Sequence, residues 1–454
     1  MPLCATDIQS FQFKNTFAAF AQGDDLPLPE VLTAQHVAQI VAEEQVAFGK
    51  SAKAFWTPAV TLWAFLRQVL SADKSCRQAV AHVVMAFALT RAPEDMDTGD
   101  YCRARAKLPL RVFERLALQV AHGLEAAAPA SWLWQRRHVY FVDGSSSRLA
   151  DTPENQKAFP QPKTQKPGLG FPLMRWVVLV SMATAAIHGL AYGPYQGKET
   201  GETALFRELL THLQPGAVVV ADRYYCSYFL VALLLAHGVD VVFRLHQRRH
   251  YDFRRGQRVG RGDHRVTWSK PARPDWMDEA LYAALPATIA VREIRRNVWA
   301  PGTRVDELLL ATTLHDADAY DADDIADLYQ ERWQVELDIR TLKVTLGMDE
   351  LRCVTPFMIA KEMWAHCLAY NLVRKVAAQA ASLAGVSPRS LSFKATKQII
   401  LGGWDQLTNY TEAEYLVLAK SLLQALPKEK VGNRPGRCEP RAKKGRPKPH
   451  KLLT

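Results

Sequence analysis

The sequence predicts an α/β fold: a mixed sheet core interrupted by a β-rich insertion and preceded by a helical N-terminal domain. Between residues 138 and 245, apolar runs and helical segments follow one another as strand, strand, strand, helix, strand, helix and strand. This order is typical of a mixed sheet with helices on its faces. Residues 1–130 repeat apolar side chains at helical spacing, and over residues 246–303 the pattern gives way to charged, turn-rich sequence.

The composition favours a globular protein with a polyanionic partner. The 454 residues are 48% hydrophobic and 23% charged, and the formal net charge is +11. Nucleic acid is favoured over a membrane, because the most apolar stretches, residues 176–192 and 229–243, contain His or Asp and are too short to span a bilayer. The chain begins without a signal-peptide pattern, and its seven cysteines never occur in C-x-x-C spacing. We therefore expect a cytoplasmic protein without a structural zinc site.

The N-terminal helical region covers residues 1–130. Residues 58–91 and 110–126 place apolar side chains three and four positions apart, as an amphipathic helix does. The segment between them, YCRARAKLP, is basic and aromatic. Two interpretations are open: a DNA-binding domain, or a helical layer that caps the domain after it.

The first part of the core covers residues 131–245. Its predicted strands are rich in β-branched and aromatic residues: HVYFVDG, PLMRWVVLVSM, AAIHGLAYG, AVVVAD and VDVVFRL. Residues 202–213 and 227–237 are predicted to be helices.

The insertion, the rest of the core and a basic C-terminal region follow. The insertion covers residues 246–305. The second part of the core, residues 306–385, contains the predicted strand DELLLATTL and predicted helices over residues 321–346 and 358–383. The C-terminal region, residues 386–454, is helical at first. Its last 27 residues hold ten Lys or Arg against two Glu, which predicts a segment that is disordered or wraps a partner.

Three acidic residues are the candidates for chemistry. Asp143 and Asp222 each end a predicted buried strand, and Glu336 lies in the long helix. The carboxyl ends of neighbouring strands meet at one sheet edge, where α/β proteins bind ligands. Three carboxylates there form the oxygen-only site that Mg²⁺ or Mn²⁺ prefers, and a pair of ions can support in-line phosphoryl transfer. An Asp-Gly after a strand, taken alone, usually marks a turn.

The long helix carries an acid and two cations along one face. Tyr329, Arg332, Glu336 and Lys343 are spaced i, i+3, i+7 and i+14, which places them within about 60° of one another at about 100° per residue. An acid flanked by bases suits a metal ion beside a phosphate. A surface helix with ordinary salt bridges explains the same spacing.

These motifs resemble the DDE-type insertion-sequence transposases of the insertion sequence four group. The match rests on Y-x2-R-x3-E-x6-K, on FVDGSS followed by DTPEN, on ADRYYCSY, and on the basic segments YCRARAKLP and RPGRCEPRAKKGRPK. The resemblance implies an RNase H-like catalytic domain, two Mg²⁺ or Mn²⁺ ions held by Asp143, Asp222 and Glu336, and contacts from Tyr329, Arg332 and Lys343 to terminal DNA phosphates.

The same resemblance implies a partner and a reaction. The enzyme cleaves DNA at the terminal inverted repeats of an insertion sequence and joins the freed 3′-hydroxyl ends to target DNA, acting as a homodimer on DNA. An RNase H-like nuclease without strand transfer, and an inactive DNA-binding regulator, are the alternatives.

Two further residues are candidate DNA contacts. Several relatives carry a tryptophan in the last strand of the insertion, to stack on a flipped base, but DELLLATT has none. Trp299 lies a few residues earlier and is interpreted either as that wedge or as a core residue. Arg223, next to Asp222, is either a phosphate contact or a structural ion-pair partner.

Other sites are excluded by spacing. GPYQGKET has three residues between its glycines where a phosphate-binding loop has four, so no nucleotide cofactor is expected. His246, His250 and His264 have no acid or Cys in useful spacing and are interpreted as part of a solvated basic surface.

Overall fold

The structure, a computed structural model, describes residues 34–48, 55–87, 96–166, 168–297, 307–404 and 412–431. Two predictions concern residues outside these ranges: Trp299 as a DNA contact, and the basic tail after residue 431.

A ten-stranded mixed sheet organises the chain. In chain order its strands are β1 Val139–Leu149, β2 Leu173–Ser181, β3 Ile187–Pro194, β4 Val218–Ala221, β5 Asp240–Arg244, β6 Gln257–Gly260, β7 Asp263–Ser269, β8 Thr288–Asn297, β9 Glu307–Thr312 and β10 Glu350–Leu351. Across the sheet the order is β3-β2-β1-β4-β5-β9-β8-β7-β6, and β10 pairs with the end of β1. β1, β2 and β3 are antiparallel, whereas β4 and β5 run parallel to β1. This RNase H-like arrangement confirms the predicted fold class.

Helices cover both faces of this sheet. Those described are α1 Ala34–Glu43, α2 Pro58–Leu70, α3 Cys76–Phe87, α4 Gly99–Lys107, α5 Leu110–Ala126, α6 Pro153–Ala158, α7 Glu202–Glu208, α8 Tyr228–Ala236, α9 Glu279–Ala284, α10 Ala322–Gln330, α11 Trp333–Arg340, α12 Pro356–Leu383, α13 Phe393–Trp404 and α14 Glu412–Ala425. In the described ranges, none of them has both the length and the apolar character needed to cross a bilayer.

The two faces of the sheet bury separate apolar cores. In β2, Trp176 and Val178 pack into the core that contains α2, α5 and α12, whereas Val177 and Leu179 pack into the core that contains α7 and α8. Because both faces are covered, the strand residues are apolar without alternation. This is the reason that the central strands were recognisable in the sequence.

Helix α12 is the centre of the first core. Every residue from Ile359 to Ala381 is buried. The Asn371 side chain accepts the Ile187 N–H at 2.8 Å and donates to the carbonyls of Ala117 at 2.9 Å and Ile187 at 3.0 Å. It therefore ties α12 to both β3 and α5, so the N-terminal helices form a layer on the core. The structure fits the capping interpretation, and a role of this layer in DNA binding stays a prediction.

Two predicted elements have different bounds. The strand expected to end at Gly144 continues to Leu149, because the serines after Gly144 pair with β2 and the last two residues pair with β10. Asp143 therefore lies inside β1 rather than at its end. The single helix expected over residues 321–346 is divided into α10, α11 and a π-helical turn, Thr341–Thr345. At the first junction the Arg332 N–H bonds to the carbonyl three residues back, which tightens the backbone.

The β-rich segment extends the core sheet. β6, β7 and β8 form an antiparallel ladder, and β9 joins them to β5. Arg292 and Asp263 form a buried ion pair at 2.6 Å beneath this ladder. His264 is 1% exposed and lies 3.0 Å from the buried Glu293 carboxylate. The expectation that His264 belongs to a solvated basic surface is therefore wrong, because this histidine points into the packed side of the ladder.

Candidate active site

Asp143 and Asp222 are brought together by the parallel pairing of β1 with β4. Phe141 pairs with Val220, so the same register continued by two residues sets Asp143 level with Asp222. Residues in register on parallel neighbours point to the same face of a sheet, and adjacent strands lie about 4.8 Å apart. The pairing of the two strands stops after Phe141, which leaves both carboxylates free of the ladder between them.

Asp143 is a largely buried acid that has one backbone N–H and one arginine close to its carboxylate. Its Oδ1 accepts the Gly144 N–H at 2.8 Å, and its Oδ2 lies 3.5 Å from Nη1 of Arg332. Burial raises the pKa of Asp143 to about 6, and the negative charges of Asp222 and Glu202 act in the same direction against the Gly144 N–H and Arg332. The charged form of Asp143 is therefore disfavoured mainly by burial.

Asp222 begins the loop after β4. Its Oδ1 accepts the Tyr224 N–H at 2.8 Å, a turn that redirects the chain towards α8. Ser227 then caps α8 by accepting the Leu230 N–H at 3.3 Å. This local chemistry fixes the Asp222 carboxylate at the sheet edge, next to Asp143.

Glu336 reaches the same region through Arg332. The Arg332 guanidinium pairs with Glu336 through Nη2 and approaches Asp143 through Nη1, and so it bridges the two acids. Glu336 itself is exposed, with 57% of its side chain accessible. Within the described part of the chain, no three His, Cys, Asp or Glu side chains are grouped closely enough to hold a metal ion. Convergence of Asp143, Asp222 and Glu336 on metal therefore stays a prediction.

The other two residues of the helical signature are placed against the core. Tyr329 is 9% exposed, and burial raises the pKa of its hydroxyl to about 12. Lys343 lies in the π-helical turn, where its Nζ donates to Ser145 Oγ at 3.2 Å and to the Ser146 carbonyl at 2.9 Å. This contact fastens the helix to β1 just beyond Asp143. Binding of DNA phosphates by Tyr329 and Lys343 stays a prediction.

A group of guanidiniums lies beside Asp222. The Nη1 of Arg223 donates to Gln247 Oε1 at 3.1 Å. Arg244, at the end of β5, was not singled out in the sequence. Burial lowers the pKa of Arg244, and the charges of Arg223 and Arg332 add to this effect. These neighbouring guanidiniums repel one another, and a bound anion such as a phosphate would reduce that repulsion.

Helix α11 is anchored by a buried ion-pair network that the sequence did not reveal. Asp338 accepts from Arg374 at 2.9 Å, from Arg389 at 3.0 Å and from the Tyr370 hydroxyl at 2.9 Å. Arg374 and Tyr370 belong to α12, so the network holds the helix that carries Glu336 against the core. Asp338 is 1% exposed. Its partners lie 32 to 51 residues away in the sequence, which explains why spacing within the helix gave no signal.

A second unassigned acid is Glu202, the first residue of α7. Its side chain lies against Gly144, the residue after Asp143. The only sequence signal for it is an acid at the start of the helix that follows β3.

Known proteins share this sequence pattern. The family described as the transposase DDE domain matches residues 134–372, more than half of the chain. Transposase InsG of the insertion sequence element IS4, from Escherichia coli K12, is 26% identical over 351 residues, or 76% of each chain. The putative transposase InsL of the element IS186A, from the same organism, is 39% identical over 66 residues, or 14% of this chain and 18% of that protein.

A comparison with solved structures finds a weak similarity. The cryo-EM structure of a piggyBac transposase synaptic complex with hairpin DNA aligns with 93% of this chain and 86% of its own chain, at 11% identity and a TM-score of 0.38.

The family match runs from just before β1 into α12 and contains all three acids. The resemblance inferred from the sequence motifs is confirmed by this match and by the similarity to the IS4 transposase. The chain belongs to the family of DDE transposases.

Proposed function

We propose that this DDE transposase cleaves DNA at the ends of an insertion sequence and joins the 3′-hydroxyl ends to target DNA. Asp143, Asp222 and Glu336 are the proposed catalytic carboxylates. The observation that carries the proposal is the register of β1 and β4, which sets Asp143 level with Asp222 on one face. Arg332 then links Asp143 to Glu336.

The donor set fits divalent metal ions. DDE transposases generally use such ions, and the proposed ligands are carboxylate oxygens, which Mg²⁺ and Mn²⁺ prefer. Burial raises the pKa of Asp143, and the charges of Asp222 and Glu202 add to the effect, so a cation bound at this carboxylate would lower that pKa. When bound, a pair of such ions would polarise the attacking and leaving oxygens of the phosphodiester.

The basic residues of the site are proposed to hold the DNA backbone. Arg332 compensates Asp143 and Glu336 in this structure. Once cations compensate those acids, its guanidinium is available to a phosphate oxygen. Arg223 and Arg244 lie beside it and add positive charge at the same edge. Lys343 and Tyr329 flank Arg332 along the chain and are proposed to contact phosphates of the terminal strand.

The proposed partners are two terminal inverted repeats and a target duplex. Both ends of an element must be processed together, and each chain carries one set of the three acids. We therefore propose a homodimer that assembles on DNA. The N-terminal helical layer, α1 to α5, and the basic C-terminal region are proposed to add binding surface for the repeats.

The test of this function uses uncut and pre-cut ends in parallel, with target DNA, Mg²⁺ and the full chain. A transposase gives joined products, a nuclease gives cleavage without joining, and a regulator binds the ends without either product. Glu336→Ala should abolish both reactions while end binding is largely kept. The matched control is Glu331→Ala, since Glu331 lies on the other side of the helix and contacts Gln334. Equal loss of binding and chemistry in Glu336→Ala would make Glu336 a structural residue and contradict the proposal.

A further inference from the structure

A basic groove separates α11 from the beginning of α13. Its volume, about 620 Å³, is in the range of ligand-binding clefts. Arg374 and Arg389 line it together with Asp338, the single carboxylate that the two guanidiniums share. Two cations against one anion leave a net positive charge here. Because all three side chains are largely buried, water and salt screen this charge less than they would at the open surface.

The wall formed by α13 adds positive charge. Lys394 and Lys430 are both exposed, and neither has an ion-pair partner among the residues that the structure describes. Lys430 lies next to the start of α13, because its antiparallel pairing with Leu391 holds it there. Ser392 accepts the Ala395 N–H at 3.3 Å in the first turn of α13, so the partly positive end of this helix also borders the groove. The groove therefore suits an anionic ligand.

The charge of the groove argues against the chain itself as the occupant. Residues 432–454 follow Val431, a lining residue, and contain eight Lys or Arg and one Glu. The groove repels this basic segment, and it repels the same groove of a second copy. Arg and Lys bind phosphate oxygens through charged hydrogen bonds, and a transposase acts on DNA. The phosphate backbone of DNA is therefore the anion that fits.

The position of the groove on α11 favours target DNA over the end of the element. On one flank of Glu336, Arg332 approaches Asp143, and the terminal strand is proposed to contact this arginine. On the other flank, Trp333 and Leu337 are exposed and line the groove. They lie about 60° and about 100° around the helix from Glu336, and Arg332 lies about 40° in the opposite direction. A phosphate attacked beside Glu336 has DNA on both sides, so the strand that is not the terminal one leaves over this second flank.

Target DNA also depends on a protein surface of its own. DNA that flanks an end is covalently joined to it before cleavage, so the contacts of the end keep the flank at a high effective concentration. A target duplex has no such link, and the protein captures it only through direct contacts. A basic surface beside the reacting phosphate provides those contacts.

We propose that this groove binds the phosphate backbone of target DNA during strand joining. Lys394 and Lys430 contact the phosphates, and Arg374 and Arg389 add positive charge beneath them. The inference rests on the proposed joining reaction and adds a target surface to it. The basic segment that follows the groove in the sequence stays proposed for the repeats.

The test uses the full chain saturated with pre-cut ends and measures capture of a second, fluorescent duplex by anisotropy. The double variant Lys394→Gln, Lys430→Gln should weaken target capture more than end binding. A plot of log affinity for the target against log salt concentration should lose a slope of about two, roughly one for each phosphate contact removed. The control is Lys157→Gln with Lys198→Gln, two exposed lysines outside the groove, which should capture target DNA as the parent does.

Three results would overturn the assignment to target DNA. An unchanged salt slope in the double variant, folded by circular dichroism, removes the two lysines from the interface. An equal weakening of end binding assigns the groove to the repeats. A cleavage defect that appears only when uncut ends carry long flanking DNA assigns it to the flank.

Failure of the joining reaction is distinguishable from failure of the groove. If the parent complex captures target DNA but joins no ends in Mg²⁺, the proposed joining is wrong, and the salt slope still decides whether the groove binds the duplex. If the parent complex captures no second duplex, the groove assignment is wrong whether or not the ends are cleaved.

Discussion

At the scale of single residues, Arg332 connects the acids of the site before any ligand arrives. It pairs with Glu336 and approaches Asp143, and its own side chain is largely buried, with 17% accessible. A guanidinium presents several N–H donors in a fixed plane, so it can serve two carboxylates now and a phosphate later. Lysine, as a single point charge, cannot do both.

Replacement of Arg332 should therefore impair chemistry on DNA that is already bound. We expect Arg332→Ala to slow single-turnover cleavage of saturating ends by roughly 100-fold or more, in line with the loss of one preorganised charge near a reacting group. Arg332→Lys should recover only part of the rate. Arg340→Ala, an exposed arginine on the same helix, should cleave bound ends near the parent rate. A normal cleavage rate in Arg332→Ala would remove this residue from the catalytic centre.

His366 makes stability depend on pH through one buried imidazole. Its ring nitrogens lie 2.8 Å from the Glu362 carbonyl and 3.1 Å from Lys74 Nζ, and burial lowers its pKa from 6.5 to about 3. The unfolded chain takes up a proton below pH 6.5 that the folded chain takes up only near pH 3. The stabilisation is therefore complete above pH 6.5 and is lost as the pH falls, at up to about 1.4 kcal/mol per pH unit.

We expect the free energy of unfolding in urea to fall less steeply between pH 6 and pH 4 in His366→Gln than in the parent protein. His237→Gln is the control, because His237 is exposed at the end of α8. Identical slopes in His366→Gln and the parent would show that another group controls acid unfolding.

At the scale of elements, the structure shows which interactions the sequence could not specify. The strands β1 to β5 were predictable because both faces of the sheet are covered, which leaves uninterrupted apolar runs in the sequence. The extension of β1 past Gly144 was not, because Ser145, Ser146 and Ser147 are polar residues whose pairing with β2 depends on strand register. The sequence did not predict the π-helical turn either. There the Leu346 N–H bonds to Thr341 five residues back, a choice set by packing rather than by local propensity.

The candidate site was predictable where its residues form local sequence patterns. Asp143, Asp222 and the helical signature are local patterns, and all of them lie within the residues that the family matches. Arg244, Asp338 and Glu202 were missed because their partners are distant in the sequence. Their positions follow only from strand register and helix packing.

The Asp338 network is the clearest case of an element held by distant partners. Removal of Asp338 would leave Arg374 and Arg389 buried without their anion. We expect Asp338→Ala to lower the free energy of unfolding by about 3–5 kcal/mol, the usual result of breaking one side of a buried ion pair. The measurement is urea unfolding of the full chain. Asp323→Ala is the control, because the Asp323–Arg296 pair lies at the surface and should contribute about 1 kcal/mol or less.

The same substitution tests how α11 positions Glu336. If the network aligns the helix, Asp338→Asn should reduce cleavage of bound ends more than it reduces end binding, at a temperature where the variant is folded. A proportional loss of both would show that Asp338 serves stability alone.

At the scale of the whole molecule, one continuous sheet joins the candidate active site to the β-rich segment. β9 pairs with β5 on one side and with β8 on the other, so β9 connects the ladder of β6 to β8 with the core strands. Arg292 and Asp263 stiffen that ladder from inside. The helical layer is fixed in the same way to α12 by Asn371. These connections fix the positions of the β-rich ladder and of the helical layer relative to the candidate active site.

One acidic centre for each chain predicts the composition of the active complex. Coordinated cleavage of two ends needs two centres, so we expect end DNA to assemble two chains with two ends, and light scattering after gel filtration to report that mass. Adding Glu336→Gln chains in equal amount to parent chains should reduce products joined at both ends to about one quarter, because random pairing leaves that fraction of dimers with two working centres. A decrease to one half would show that each chain acts alone, and would contradict the dimer.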